Sequence, residues 1–464
     1  MKTVTLTREL PVEETEVLVI GGGPAGIASA IASARNGVKT ILVEQSGCLG
    51  GMATLGLVGP FMSCFSADGK TQLIRGIFDE LVRRMEERGG AIHPSKIPGG
   101  TPFASFYVLG HDHVTPFEPE ILKMVALEMC EESGVKVKLY TPFLDTITTS
   151  SSGKVRIDEV VTANKPGLRA IRAERIVDCT GNGDVAASSG VPVNKGREKD
   201  KKMQPATLFF RVGNVDSGRL ISFVRKTYEP RIMGSTGYFM EHVKRARKEI
   251  GYSVPRDWLS IYQTMKWDEW LANTTRVHGI DGTNVDDLTR AHREGLRQVF
   301  EVLEFLRKYI PGCENVELVN VAQQIGIRET RRIQGEYVLT ADDVYNCKDF
   351  EDVVVLFAFP VDIHDPEGGG GMFEGIKGNS FQVPYRCLLP LKVENLLVAG
   401  RCISATHEAL GAIREMPCCF GMGEAAGTAA ALSVKKAIPP KELNYQTLQK
   451  NLVKQGAYLP DVTP

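Results

Sequence analysis

The chain has 464 residues, of which 43% are hydrophobic and 24% are charged, a composition typical of a globular protein with two or three domains. Its 55 basic and 56 acidic residues leave a net charge of −1, so no net field attracts nucleic acid or anionic lipid, and both are excluded as partners. The first residues lack the apolar core of a signal peptide, and the apolar run from Val353 is far shorter than the ~20 residues of a membrane span. Ten cysteines without a CxxC pair indicate reduced thiols, so we expect a cytoplasmic protein.

The stretch VLVIGGGPAG, residues 17–26, predicts a buried parallel strand that enters a glycine-rich turn and then a helix. In this G-x-G-x-x-G pattern the first glycine turns the chain, the second admits a pyrophosphate, and the third lets helix and strand pack closely. A second strand ends at Glu44, 18 residues beyond the last glycine, where a carboxylate binds ribose hydroxyls and repels a 2′-phosphate. The unit therefore predicts a site for FAD or NAD and excludes NADP. Its predicted binding residues are Gly21, Gly23, Pro24, Ala25, Gly26 and Glu44.

Two further features favour FAD over NAD. A second glycine pair follows Glu44, where backbone amides would meet the ribityl chain and second phosphate of a flavin. Near the C-terminus, a strand enters another glycine turn, and a small-residue helix then begins at a proline. The positive end of that helix would stabilise an anionic reduced flavin ring. The residues concerned are Gly50, Gly51, Met52, Gly400, Arg401, Pro417, Cys418 and Cys419.

Several long segments resemble a known family, among them VLVIGGGPAGIASAIASARNG, LGGMATLGLVGPF, VDCTGNGDVAASSG and NLLVAGRCISATHEALGAIREMP. They resemble the FAD-dependent oxidoreductase family with the glutathione-reductase type of FAD fold, in a generic bacterial branch distantly related to fumarate reductase flavoproteins. The resemblance runs from Val17 nearly to the C-terminus. It implies an α/β fold: a Rossmann-like FAD-binding domain, with a parallel sheet plus β-meander, and an inserted α+β substrate domain. It implies FAD as cofactor and names no substrate.

The resemblance also implies an organisation and further cofactor contacts. We expect residues 1–205 and 385–464 to form the FAD-binding domain, and residues 206–384 to form the substrate domain. The strands of 135–180 should flank the adenine, with backbone near Phe143 in contact. The turn after them should close over FAD through Thr180, Gly181 and Asp184.

Two rival interpretations of the cofactor chemistry are weaker. The glycines from Gly181 also match an NAD(P) turn, but the acidic strand end that should follow is replaced by the polar stretch KGREKDKKMQP. A disulfide reductase needs a C-x-x-x-x-C pair after the first glycine motif, and Cys48 has no partner before Cys64.

The middle of the chain predicts helices and strands of the inserted domain. Leu296, Val299, Leu303, Leu306 and Ile310 share one helix face, which ends at a Pro-Gly pair. Residues 316–340 and 352–364 predict long strands. Residues 91–116, rich in glycine, proline and aromatic residues, predict an excursion over the site.

Arginines and histidines supply the candidates for catalysis. In GIRETRR, strand alternation would place Arg328 and Arg332 on one face and Glu329 and Arg331 on the other, as a substrate clamp or as an ion-paired strand edge. Asp362 and His364 share a face at a strand end, and a histidine beside a carboxylate suits an acid or base. The predicted catalytic set is Arg328, Arg331, Asp362, His364 and His407.

A metal site is not expected, because His111 and His113 lack a third ligand at usable spacing. We predict an enzyme that transfers hydride between flavin N5 and a carbon centre of a small polar or carboxylate-bearing metabolite. The alternatives are a flavin monooxygenase or halogenase, and an electron-transfer subunit of a larger complex. The electron donor or acceptor and the oligomeric state are left open, a homo-oligomer being one option.

Overall fold

The computed structural model describes residues 3–5, 7–228 and 239–463. In chain order the strands are β1 (Val12–Ile20), β2 (Thr40–Val43), β3 (Lys136–Lys138), β4 (Phe143–Ser151), β5 (Lys154–Asn164), β6 (Gly167–Asp178), β7 (Val193–Lys195), β8 (Phe210–Gly213), β9 (Ile261–Gln263), β10 (Trp270–Ala272), β11 (Glu317–Val321), β12 (Arg331–Ile333), β13 (Val353–Phe357), β14 (Val361–His364), β15 (Gly371–Glu374), β16 (Phe381–Pro384) and β17 (Leu396–Val398). The α-helices are α1 (Pro24–Arg35), α2 (Gly76–Glu87), α3 (Pro119–Glu132), α4 (Asp184–Ser188), α5 (Ser217–Tyr228), α6 (Met240–Glu249), α7 (Val285–Tyr309), α8 (Ala341–Tyr345), α9 (His407–Ile413), α10 (Met416–Lys435) and α11 (Tyr445–Lys454).

The largest sheet has the order β3-β2-β1-β6-β5-β4, and β17 also pairs with β6. The strands β1, β2, β3, β6 and β17 run parallel, whereas β4, β5 and β6 form an antiparallel meander. The long β6 serves both parts, because its start pairs with β5 and its end pairs with β17. The predicted α/β class, with a Rossmann-like parallel sheet plus β-meander, is confirmed.

Two helices of small residues pack against each other beside this sheet. A side chain at Gly423 would collide with the carbonyl oxygen of Ala25, and one at Gly427 with that of Ser29. The alanines and glycines of α1 and α10 therefore allow the two backbones a close approach. This packing fixes the start of α10 relative to the glycine turn before α1, which matters because both border the cavity described below.

A second, antiparallel sheet has the order β11-β8-β10-β9 and packs with α7. The predicted helix is confirmed, since α7 spans Val285–Tyr309 and buries Val299, Leu303 and Leu306. Leu296 departs from the prediction, because 36% of its surface is exposed.

The predictions of one long strand over 316–340 and another over 352–364 are wrong, because each segment is interrupted. After Ala322, whose N–H donates to the Phe209 carbonyl, the ladder is interrupted: the Gln324 N–H donates to the Leu55 carbonyl, and a single bridge between Gly326 and Thr207 follows. The second prediction divides between β13 and β14, where Pro360 has no N–H to offer a ladder.

Two main hydrophobic clusters form the core. The second cluster contains buried hydrophobic residues between 206 and 325 together with Leu57 and Phe106. Buried hydrophobic residues from Ile333 to Val383 belong to the first cluster. The predicted boundaries at 206 and 384 stay a prediction, and this packing indicates an inserted unit that is shorter at its C-terminal side.

Candidate active site

A cavity of about 920 Å³ begins at the first glycine turn and extends to the second sheet. We call one part the glycine end; its walls include Gly21, Gly23, Glu44, Gly51, Thr180 and Gly400. We call the other part the arginine end; its walls include Arg256, Arg328, Asp362, His364 and Arg414. The volume is at the upper limit of ordinary ligand sites, as expected if two molecules share it.

The three glycines of the first turn have the distinct roles that the motif predicts. Gly21 adopts a φ of +97°, which favours glycine. A Cβ at Gly23 would have no protein atom within 4 Å, so the backbone there faces open space. A Cβ at Gly26 would collide with the Gly21 carbonyl oxygen, so this position is set by packing, and Gly26 does not line the cavity.

Glu44 ends β2 with its carboxylate at the cavity wall and held in place by the protein. The Gly22 N–H donates to Oε2 at 2.6 Å, while the N–H and hydroxyl of Ser46 donate to Oε1 at 2.8 and 2.7 Å. A carboxylate accepts about four hydrogen bonds, so Oε2 keeps capacity for a ribose hydroxyl. The geometry fits an adenosine ribose at this point.

The second glycine pair lies against the first turn. The Gly50 N–H donates to the Gly22 carbonyl at 2.8 Å, and a Cβ at Gly51 would lie 3.1 Å from the Gly23 Cα. Gly51 and Met52 line the cavity, whereas Gly50 shapes the turn from behind with a φ of +106°. Backbone groups from two separate turns thus border the space where a pyrophosphate would lie.

A third turn closes the glycine end after β6. The buried Asp178 carboxylate accepts from the Thr180 N–H at 3.0 Å and hydroxyl at 2.7 Å, and from the Ala186 N–H at 3.0 Å. Burial raises the pKa of Asp178 to about 6, the nearby Asp184 contributing less. Thr180, Gly181 and Asp184 line the cavity, as does Phe143. The turn therefore faces the same space as the first one, and the next strand, β7, pairs with β12 in a separate two-stranded sheet.

The start of α10 also borders the cavity, through Met416 and Cys419. Gly400, at a φ of +91°, and Arg401 line it beside them. Of the remaining predicted residues in this part, Pro417 and Cys418 are buried inside α10 and do not reach the cavity wall.

At the arginine end, four guanidinium groups surround Asp362 and His364. Arg414 pairs with Asp362 Oδ2 at 2.6 Å, and Arg328 donates to the Pro205 carbonyl and the Thr207 hydroxyl, both at 2.7 Å. Behind the wall, Arg276 donates to His364 Nδ1 at 2.9 Å. The fourth guanidinium, of Arg256, donates to Ser260 and to the Asn273 carbonyl.

These arginines, Asp362 and His364 lie close together in a buried region, and each affects the pKa values of the others. Burial, followed by repulsion from Arg414, Arg256 and Arg276, lowers the pKa of Arg328 far below its usual range. Burial alone would raise the pKa of Asp362, but the hydrogen bond from His364 and the charges of Arg414 and Arg328 hold it well below its usual range. The carboxylate is therefore ionised and does not neutralise four guanidinium groups.

The ring of His364 has both nitrogens engaged. A guanidinium only donates, so Nδ1 must accept from Arg276, and the ring proton is on Nε2, which lies 3.3 Å from Asp362 Oδ2. Burial, then repulsion from Arg328, lowers the pKa of His364, so the ring is neutral. In this arrangement the ring fixes Asp362, and neither nitrogen is open to a substrate.

Two predicted catalytic residues lie elsewhere. Arg331 pairs with Asp184 at 2.7 Å at the glycine end. His407 does not line the cavity and contacts the buried Glu329 carboxylate, which also binds Arg332. The predicted alternation of GIRETRR is wrong, because only its last two residues are in a strand, so Glu329 and Arg332 meet.

Sequence reasoning missed several wall residues because no motif marks them. Arg256, Trp258 and Tyr262 come from the segment before and within β9, and the Trp258 ring lies 5.1 Å from the Arg256 guanidinium. The excursion predicted over the site does border the cavity, through Tyr107 and His111. Arg256, Trp258 and Tyr262 are of types common in cores, so only the tertiary structure reveals them.

The described residues contain neither a metal-binding cluster nor a membrane-spanning helix. No group of three or more His, Cys, Asp or Glu in that part of the chain could hold a metal ion. Among the described helices, none combines the length and apolar character that a membrane crossing requires. The cytoplasmic location stays a prediction.

A family model described as FAD dependent oxidoreductase matches residues 16–452. The solved structures to which the chain is similar include the following three. A p-nitrophenol 4-monooxygenase from Pseudomonas putida DLL-E4 is 12% identical, with 97% of this chain and 87% of that chain covered and a TM-score of 0.44. A geranylgeranyl bacteriochlorophyll reductase-like protein from Thermoplasma acidophilum is 13% identical, with 97% and 94% covered and a TM-score of 0.45. The myxobacterial chondrochloren halogenase is 14% identical, with 95% and 78% covered and a TM-score of 0.48.

Proposed function

Because the chain belongs to the FAD-dependent oxidoreductase family, we propose that it transfers hydride between FAD and a carbon centre of a small, carboxylate-bearing metabolite. FAD supplies the two-electron redox chemistry of such a reaction. The protein then has to hold the cofactor, orient the substrate, exclude water and provide for the accompanying proton.

The glycine end would hold the cofactor. Glu44 would accept from a ribose hydroxyl, and the backbone around Gly23 and Gly51 would face the pyrophosphate. The contacts proposed from the predicted set are those that line the cavity: Gly21, Gly23, Pro24, Ala25, Glu44, Gly51, Met52, Phe143, Thr180, Gly181, Asp184, Gly400, Arg401 and Cys419.

The main observation that supports a carboxylate-bearing substrate is the excess of positive charge at the arginine end. Arg256, Arg328 and Arg414 line the cavity. The carboxyl groups that face them are Asp362, which is ionised, and Glu415, which lies 3.4 Å from Arg414 and whose pKa is raised by burial, so positive charge stays in excess. Uncompensated buried charge is costly, so an anionic ligand that enters would relieve it. A guanidinium binds a carboxylate through two parallel hydrogen bonds, which also orients the substrate.

Unpartnered donors support the same proposal. The Nε atoms of Arg256 and Arg414 are buried and have no hydrogen-bond partner in the described structure. Buried N–H groups normally find partners, so each is a candidate donor to a ligand. Metabolites with one or two carboxylates match this arrangement better than neutral ones.

The test is anaerobic mixing of the FAD-loaded enzyme with a panel of small hydroxycarboxylates, namely glycolate, lactate, malate and mandelate, with the matching alcohols as controls. We expect at least one acid to bleach the flavin absorbance and its alcohol analogue to leave it unchanged. Reduction by the neutral alcohols alone would contradict the proposed role of the arginine end.

The same experiment separates the alternatives. NADH and NADPH should reduce the flavin slowly, because the Gly181 turn shares the first turn's cavity and lacks a βα unit of its own. Fast, saturable reduction by either nucleotide, with oxygen consumed, would support a monooxygenase or halogenase instead. Purification as a stoichiometric complex without turnover of any acid would support an electron-transfer subunit.

A further inference from the structure

His111 lines the cavity, and one of its two ring nitrogens has a hydrogen-bond partner in the described residues. Its Nδ1 lies 3.1 Å from the Leu109 carbonyl oxygen, which can only accept, so Nδ1 bears the ring proton. Burial lowers the pKa of His111, and the ring is therefore neutral at pH 7. In the described part of the chain the ring has no second hydrogen-bond partner, so the lone pair of Nε2 is available.

The surroundings of His111 place it beside the arginine end. The ring of Phe373, 6.1 Å away, belongs to the residue opposite Asp362 in the β14–β15 hairpin. Gly110 fits so closely against Pro360 that a Cβ there would lie 2.7 Å from the proline Cδ. The excursion is thus docked on the hairpin that carries Asp362.

Aromatic rings enclose the histidine and leave few charges facing it. Tyr107, Tyr262 and Phe359 have ring centroids 5.1, 6.3 and 6.3 Å away. Burial raises the pKa of both tyrosines, so they are neutral. The Asp112 carboxylate is engaged by other groups, because its Oδ1 accepts from the Gly99 N–H and its Oδ2 lies 3.5 Å from His113.

Asp362 is the charged group that acts on His111, and its negative charge raises the pKa of the ring against the effect of burial. A proton taken up at Nε2 would make the ring a cation, which the carboxylate favours. A neutral imidazole with a free nitrogen, in a dry pocket beside a carboxylate, has the properties of a general base.

We propose that His111, through Nε2, accepts the substrate proton that accompanies hydride transfer, and that the substrate is a hydroxycarboxylate. The proposal rests on the proposed function above. The O–H bond breaks and its proton goes to Nε2, while the carbon loses its hydride, with both electrons of the C–H bond, to oxidised FAD. A C=O bond forms, so the hydroxy acid becomes a keto acid. His364, with both nitrogens engaged, positions Asp362 and does not take the proton.

The first test measures the ring itself, independently of turnover. In enzyme with ¹⁵N-labelled histidine rings, one ring at pH 7 should be neutral with its proton on Nδ1, and its signals should be missing from His111→Gln. A charged ring at pH 7, or a proton on Nε2, would overturn the proposal.

The second test is single-turnover flavin reduction by the hydroxycarboxylate that bleaches the wild type. His111→Gln should slow this step by about 10²–10⁴-fold, as expected for loss of a general base. Its FAD content and its affinity for succinate, an anion without a hydroxyl, should match the wild type. The control His292→Gln, on α7 and away from the cavity, should reduce at the wild-type rate.

The pH profile gives a readout that a structural role would not change. Because the base must be neutral to accept a proton, the wild-type rate should rise with pH through the His111 pKa, which burial lowers below the usual histidine range, and then level off. His111→Gln should lose this limb. Unchanged reduction, or loss of FAD and succinate binding together with the rate, would rule His111 out. If no acid reduces the wild type, the proposed function fails and the role of His111 fails with it. A failed ring measurement or an unaltered His111→Gln rate, with an acid that reduces the wild type, overturns the role of His111 alone.

Discussion

The two ends of the cavity are built in different ways. The glycine end is formed largely by turns at the ends of neighbouring strands, and its walls include Gly21, Gly23, Gly51, Gly181 and Gly400. The arginine end collects side chains from five separate parts of the chain, at residues 107–111, 256–262, 328, 362–364 and 414. The comparison indicates that the proposed cofactor site is bordered by glycine turns, whereas the proposed substrate site is lined by charged and aromatic side chains.

The largest expected effects come from two glycines at the same turn. Gly23→Val should fold normally, since a Cβ there meets no protein atom, but should purify without FAD because the side chain fills the pyrophosphate position. Gly26→Val should fail to fold, because its Cβ collides with the Gly21 carbonyl. Circular dichroism and flavin absorbance measure both outcomes.

The control for this pair is Gly89→Ala, at the end of α2, where an added Cβ also meets nothing within 4 Å and lies outside the cavity. It should keep FAD, although its φ of +69° costs some stability. Gly23→Val with full FAD content would show that the first turn does not hold the pyrophosphate.

The arginine end should show a smaller effect, confined to anion binding. Arg328→Met should weaken binding of succinate to the FAD-loaded enzyme by about 10–100-fold, as expected for loss of hydrogen bonds to a charged group. FAD content should stay unchanged, because Arg328 belongs to the opposite end of the cavity. Perturbation of the flavin spectrum during titration measures the affinity.

Arg297→Met, at an exposed position on α7, is the matched control and should bind succinate as the wild type does. Arg328→Lys keeps the charge and should lose less affinity than Arg328→Met. Equal affinity in Arg328→Met and the wild type would remove the main support for a carboxylate at this end.

The last effect concerns Glu424, a buried carboxyl of α10 that lies outside the cavity. Because no ligand is expected there, Glu424 shows what burial alone does to a carboxyl group. Burial raises its pKa to about 8, and its Oε1 has no hydrogen-bond partner. The folded state binds this proton more tightly than the unfolded state, so stability is lost as pH rises from about 4.5 to about 8. Glu424→Gln should therefore raise stability at pH 8 by about 1–3 kcal/mol and change it little at pH 4.

Thermal unfolding at the two pH values measures this difference. The exposed Glu442→Gln should show no such pH dependence. A Glu424→Gln variant that gains equally at pH 4 and pH 8 would indicate a packing effect instead of titration.

Sequence patterns predicted the fold better than the site. The glycine spacing and Glu44 predicted the first strand–turn–helix unit, the family resemblance implied the Rossmann-like sheet with its meander, and the apolar spacing predicted α7. The long strands failed because a β pattern does not show where backbone donors find other partners, as at Gln324. The acid or base role predicted for His364 is disfavoured because Arg276, which is 88 residues away in the chain, occupies its Nδ1.

By itself, then, the sequence determined the class of fold, the FAD family and the positions of the glycine turns, because these depend on backbone conformation and on contacts between residues close in the chain. Only the tertiary structure decided which side chains share the arginine end and which nitrogen of each histidine is open. Hydrogen bonds and charges act over a few ångströms in space, and the partners of Asp362, His364 and His111 come from segments that no local pattern connects.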